Sequence, residues 1–208
     1  LAQPTTVTKS EYTDVKAKAL LDKVKKLYES YTSLESSFRA EYKMAEQEKG
    51  ETLSGKIYQQ GDNFRVDMGS DFVISDGKVI WQKTGNTVQI KNANSKDADD
   101  LMSPKALMRL YEKKEFIFGI TGEGSDANKK VTLITGKPNN RRSEYTKIIL
   151  AIDQKSNQVV SVTAFGRDQS RYKVSLETPT VNQKYDSSKF VFDKAKYPKV
   201  KVEDLRVD

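Results

Sequence analysis

The sequence predicts an α+β fold that is mainly antiparallel β, with an open sheet of about ten or eleven strands and two or three short helices. Three observations carry this expectation. Apolar residues recur with period two over most of the chain, strand-sized runs are separated by Gly, Asn, Asp and Ser turns, and helical spacing is confined to two short stretches. A hydrophobic fraction of 36% beside a charged fraction of 31% suits a sheet with one face in water. The 208 residues are expected to form a single domain, 1–208.

Residues 13–31 form the first helical stretch. Leu20, Val24, Leu27, Tyr28 and Tyr31 recur at helical spacing opposite Lys23, Lys25, Lys26 and Glu29. The period then changes to two: Leu34, Ser36, Phe38, Ala40, Tyr42 and Met44 alternate with polar residues up to a turn at 48–50. Strands at 52–59 and 64–68 flank a turn at 60–63. The clearest hairpin follows. Asp76-Gly77 is a two-residue turn that tolerates positive φ, which sets Ile74 opposite Val79 and Phe72 opposite Trp81. Phe72, Ile74, Val79 and Trp81 then share one apolar face, while Val73, Ser75, Lys78 and Ile80 share the other.

A strand at 88–91 follows Gly85-Asn86, and a polar stretch, 92–102, interrupts the meander. Ser103-Pro104 opens a second helix, with Ser as N-cap, Pro in the first turn and Ala106, Leu107, Leu110 and Tyr111 on one face. Strands are expected at 115–120, 130–135, 145–153, 158–167 and 171–177, before a basic tail punctuated by Phe190, Phe192 and Tyr197. So few helices would leave a large sheet incompletely covered, and an unfilled concave face makes an apolar pocket.

The chain has no Cys and no His. Ser-His-Asp and Cys-His nucleophiles, His/Cys zinc sites and thiol redox chemistry are thereby excluded. Asp97, Asp99 and Asp100 supply carboxylates, but the cluster lacks the glycine turn and distal Glu of a calcium loop and reads as a solvated loop. Gly122-x-Gly124 reads as a turn between strands. The net charge of +7 favours encounter with anionic surfaces, although the cations are spread along the chain. Lys137 with Arg141-Arg142 lacks the aromatic interleaving of a nucleic-acid reader and is expected to be a solvated loop. No apolar run approaches the ~20 residues of a spanning helix. The chain begins Leu1-Ala2-Gln3, and an exported, soluble protein freed of its signal peptide is the expectation.

The order of features resembles the LolA family of periplasmic lipoprotein carriers. The resemblance rests on Leu27-Tyr28, Gly55-Lys56-Ile57-Tyr58, Asn63-Phe64-Arg65, the run from Val73 through Asp76-Gly77-Lys78 to Trp81, Thr87-Val88-Gln89-Ile90, Ser103-Pro104 with Leu107 and Tyr111, and Asp186 with Phe190-Val191-Phe192. It implies an unclosed (half) β-barrel covered on its concave face by a few α-helices, with an apolar cavity that holds acyl chains. It also implies a non-enzymatic periplasmic carrier, without catalytic residues, cofactor or metal, acting as a monomer. Its cargo would be acylated lipoproteins, its donor an inner-membrane lipoprotein release complex and its receiver an outer-membrane acceptor. Similar domains also occur in periplasmic regulators of anti-sigma factors, so a lipid- or lipoprotein-sensing domain is the alternative.

Candidate cargo-binding positions, chosen from apolar alternating faces, are Phe38, Tyr42, Ile57, Phe64, Val66, Phe72, Ile74 and Trp81. One departure stands out. Many family members carry a basic-Arg-Pro-type turn after the second strand, whose Arg latches the lid; here the turn reads Gln59-Gln60-Gly61-Asp62, and Arg65, which matches the following strand's Arg of the family pattern, is the nearest substitute.

Overall fold

The computed structural model describes residues 13–93 and 115–206. One helix, α1 (Val15–Glu29), precedes a meander of β1 (Ser33–Lys43), β2 (Glu51–Gln60), β3 (Asn63–Met68), β4 (Asp71–Ser75), β5 (Val79–Thr84) and β6 (Thr87–Asn92). A second meander contains β7 (Phe116–Asp126), β8 (Lys129–Pro138), β9 (Tyr145–Asp153), β10 (Val159–Gly166) and β11 (Arg171–Leu176). The C-terminal segment adds β12 (Thr180–Val181), 3-10 turns at Ser187–Phe190 and Lys194–Lys196, and β13 (Lys201–Asp204).

All these strands form one unclosed 13-stranded sheet, ordered β13-β6-β5-β4-β3-β2-β1-β11-β10-β9-β8-β7, with β12 beside β1. The expected class and the open, mostly antiparallel architecture are present, with α1 as the only α-helix among the described residues. The strand count exceeds the expected ten or eleven because β12 and β13, of two and four residues, are too short to show a period. The helix expected from Ser103 and the carboxylates Asp97, Asp99 and Asp100 lie outside the described residues.

Two details of the strand reading change. The turn at Asp76-Gly77 is longer than two residues: Ser75 pairs with Ile80 and Ile74 with Trp81. The Asp76 carboxylate accepts from both Lys78 N and Val79 N, which holds the loop open as an Asx-type turn. The register therefore slips by two, and an even slip leaves every side chain on its expected face. Gly122 and Gly124 lie within β7 rather than between strands, with a register shift between Ile120 and Gly122.

The registers sort the sheet into two faces. On the inner face, Phe38, Ala40 and Tyr42 of β1 align with Leu176, Val174 and Tyr172 of β11, and Ile57 aligns with Val66 and Val73. α1 covers the second-meander half of this face, where Leu21 and Val24 are fully buried and pack with Phe118, Ile134, Leu150 and Val162. Asp14 caps the helix by accepting from Ala17 N at 3.2 Å, and its own N–H donates to Phe118 O at 2.9 Å, fixing the helix start to edge strand β7.

The outer face of the first meander carries Tyr58, Phe72, Ile74, Trp81 and Val88. The C-terminal segment covers it with Phe190, Phe192, Tyr197 and Val200. Phe190 has no exposed surface. Replacing Phe190 with Ala should therefore cost about 3–5 kcal/mol, read as a lower urea midpoint with an unchanged slope; a loss under about 1 kcal/mol would show that the segment is not part of the core.

Candidate functional site

The inner face is where an apolar guest finds space. Beside Tyr28, in the last turn of α1, a small recess is lined by Tyr28, Leu34, Ser36, Ile57, Val159, Leu176, Glu177 and Pro179.

Its two hydroxyls are already engaged. Val159 N donates to the Tyr28 hydroxyl at 2.9 Å, and Ser36 Oγ donates to Glu177 O at 2.8 Å. The recess thus presents rings and aliphatic carbons, which suit contact with an apolar chain. Among the described residues, no group of three or more His, Cys, Asp or Glu is arranged to hold a metal ion.

From the recess, an apolar strip continues along the inner face. Phe38, Ala40, Ile57 and Val174 form a buried cluster joined by Val66, Met68, Tyr172 and Leu176. Phe38 lies over its cross-strand partner Gly55, where an added Cβ would come within 2.8 Å of the ring and 2.0 Å of Asp67 O. A side chain at residue 55 is therefore excluded by the ring and backbone together. Tyr42 closes the strip at the far end of β1, 36% exposed and 6.4 Å from the Tyr172 ring. Phe64 is half-buried on the same face, paired with Gln59 and Ser75.

The eight candidate positions therefore do not line one cavity. Phe38, Tyr42, Ile57, Phe64 and Val66 lie on the inner face, and of these Ile57 borders the recess. Phe72, Ile74 and Trp81 lie on the outer face beneath the C-terminal segment, with the Phe72 ring 5.9 Å from Phe192 and 5.3 Å from Tyr197. This corrects the placement of that apolar hairpin face on the concave side: alternation separated the faces, but the basic tail gave no period to show which side it covers. Leu34 and Ser36 belong to the period-two pattern of β1 and were recoverable as neighbours of Ile57. Tyr28, Val159 and Leu176 come from distant elements, joined only by the β1–β11 pairing and the angle of the helix.

Arg65 also lies on the outer face. It pairs with Asp67 at 2.8 Å and donates to Lys189 O at 3.2 Å, so it holds the C-terminal segment and faces away from α1. Around it, Lys189 Nζ sits 3.8 Å from the Tyr58 ring centroid, and Gln60 exchanges two hydrogen bonds with the Tyr185 backbone. The Tyr185 hydroxyl donates to Glu35 at 2.6 Å. That bond, with Lys56 beside it, holds the Glu35 carboxyl below its usual range, while burial and then Glu35 push the Tyr185 phenol up.

The family model described as outer membrane lipoprotein carrier protein LolA matches residues 29–193. The chain belongs to the LolA family. The fold agrees: an uncharacterized conserved protein from Thermus thermophilus superposes with a TM-score of 0.61 at 13% identity, over 91% of this chain and 99% of that one. MucB superposes with a TM-score of 0.53 at 13% identity, over 86% of this chain and 64% of that one. A putative outer membrane lipoprotein-sorting protein domain from Vibrio parahaemolyticus gives 0.49 at 11% identity, over 84% and 96% of the two chains. No curated protein matches the sequence. Among the described residues, no helix of this LolA-family chain is long and apolar enough to cross a membrane.

Burial pushes the Tyr28 phenol up to about 12 from its ordinary 10.0, against the hydrogen bond from Val159 N, which favours the phenolate. The fold therefore prefers the neutral phenol. This stabilisation is complete below the ordinary value and is lost as pH rises through about 12. Stability measured by denaturant unfolding should fall between pH about 10 and about 12, and Tyr28→Phe should remove part of that slope. An identical slope in the variant would contradict the assignment.

Proposed function

We propose that this LolA-family chain is a non-enzymatic periplasmic carrier, built as a single domain, that holds the acyl chains of lipoproteins on the inner face of its half-barrel. The observation that carries this reading is the recess beside Tyr28, Leu34 and Ile57, with its continuation along the Phe38–Val174 strip. Its lining is mainly apolar and its hydroxyls are engaged by the backbone, so it provides chiefly apolar contact. Each buried methylene contributes about 0.8 kcal/mol. The recess is small and the strip beside it is buried, so an acyl chain would enter as the packing along the inner face opens, and the same opening would release it, as a shuttle between a donor complex in the inner membrane and an acceptor at the outer membrane requires. The family match supports the carrier role.

A second reading is a lipid- or lipoprotein-sensing domain, favoured by the likeness in fold to MucB. In that reading the same groove is an input and a bound protein the output.

The test is binding of an environment-sensitive apolar dye and its displacement by an acylated peptide. Ile57→Phe, which builds into the recess, should weaken dye binding roughly tenfold, equivalent to about 1.4 kcal/mol. Trp81 emission should stay unchanged through the titration, because Trp81 packs under the C-terminal segment on the other face. Absence of dye binding, or displacement accompanied by a large Trp81 shift, would contradict the inner-face site. Recovery of a signalling protein with no acylated cargo would favour the sensor.

A further inference from the structure

The β8–β9, β10–β11 and β1–β2 connections all emerge at one end of the sheet. From β8 to β11 this end is strongly basic. Lys137, Arg141, Arg142, Lys147, Arg167 and Arg171 stand against Glu144 and Asp168. The Asp168 carboxylate is occupied by Ser170 N and Ser170 Oγ. None of the six cations pairs with a carboxylate among the described residues.

Their arrangement is costly for the fold alone. The last cross-strand row places Lys147 opposite Phe165, Phe165 opposite Arg171 and Arg171 opposite Lys43. Lys147 Nζ lies 4.6 Å and Arg171 Cζ 5.7 Å from the Phe165 ring centroid, so one ring carries two cations. Arg171 and Lys43 face each other as like charges, a pairing that destabilises a sheet. The cation–π contacts orient the cations and the like-charge pair leaves them without an internal counter-ion, so the row is suited to an external anion.

We propose that this end of the sheet is a docking surface for a bilayer containing anionic lipid headgroups. Two features favour a bilayer over an acidic protein. First, large side chains with apolar bodies are exposed along the same end: Tyr145 at 41%, Tyr42 at 36% and Met44 at 47%. Aromatic rings interleaved with Lys and Arg form the composition of a membrane–water interface. Second, the cations are distributed over two loops and three strands, which a fluid headgroup layer can meet wherever they fall, whereas a folded acidic partner must match each position. The patch ends at the β1–β2 connection, where Glu46, Glu48 and Glu51 reverse the sign and limit the docked edge. Tyr42, next to Tyr172 on the inner face, also stands on this edge. The docking surface stands independently of acyl binding.

The test is flotation of the full chain with vesicles of phosphatidylglycerol and phosphatidylcholine, compared with phosphatidylcholine alone. Binding should require phosphatidylglycerol and weaken as salt shortens the Debye length from about 10 Å at 0.1 M. The combined variant Arg141→Ser, Arg142→Ser, Arg171→Ser should lower partitioning roughly 100-fold, while Tyr145→Ser should lower it several-fold. A control with Lys16→Gln, Lys23→Gln and Lys26→Gln on α1 removes the same charge elsewhere and should leave most of the binding intact. The thermal unfolding of each variant is checked first, so that binding is compared only between folded chains. The proposal is overturned if the wild-type chain does not float with anionic vesicles, if the α1 control loses as much binding as the docking variant, or if polyglutamate competes as well as lipid and Tyr145→Ser has no effect.

Discussion

A strand sends alternate side chains to opposite faces, so a sheet that is apolar on both sides must be covered on both sides. That constraint governs this molecule. The inner face is apolar from Phe38 to Phe118 and the outer face from Tyr58 to Val88, and a single open layer of 13 strands cannot bury both on itself. α1 covers the second-meander half of the inner face. The C-terminal segment crosses to the outer face and covers the first-meander half. Among the described residues, these two covers sit diagonally, on opposite faces and opposite halves.

The position of the recess follows from this geometry. It lies beside Tyr28 in the last turn of α1, where the chain turns into β1, next to the junction of the two meanders at β1 and β11. The covers differ in chemistry. α1 packs mainly through aliphatic side chains and is held at its start by backbone and cap bonds to β7. The C-terminal segment is fastened by directional contacts: the Gln60–Tyr185 pair of hydrogen bonds, the Tyr185–Glu35 bond, Arg65 on Lys189 O and Lys189 over Tyr58. The segment on the outer face is thereby fixed in register, whereas the recess beside α1 combines mainly non-directional apolar packing with the single bond from Val159 N to the Tyr28 hydroxyl.

Much of this was legible in the sequence because it depends on period and turn chemistry. The strand from Tyr145 to Asp153, the change of period after Tyr31 and the two faces of the Phe72–Trp81 hairpin were all readable. The hairpin faces survived a misjudged turn because the Asp76 carboxylate lengthened the loop by an even number of residues. What covers a face is a long-range property. Phe190, Phe192 and Tyr197 stood out as aromatic residues in a basic tail, but no spacing assigns them to one side of the sheet. The same reason placed Phe72, Ile74 and Trp81 on the wrong side and hid Val159 and Leu176, whose closeness to Ile57 is made by strand order. The Lys147–Phe165–Arg171 row was likewise invisible until pairing brought three separate strands together.

The central claim is that cargo meets the inner face and the C-terminal segment keeps the outer face closed. It is tested most directly by photo-crosslinking a peptide carrying a diazirine-labelled acyl chain to the full-length protein and locating the adducts by mass spectrometry. Adducts should map to the recess and strip, at Tyr28, Leu34, Ile57 and Leu176, and fade when unlabelled acylated peptide competes. Adducts concentrated at Phe72, Trp81 or Phe192 would place the acyl chain beneath the C-terminal segment and contradict the account.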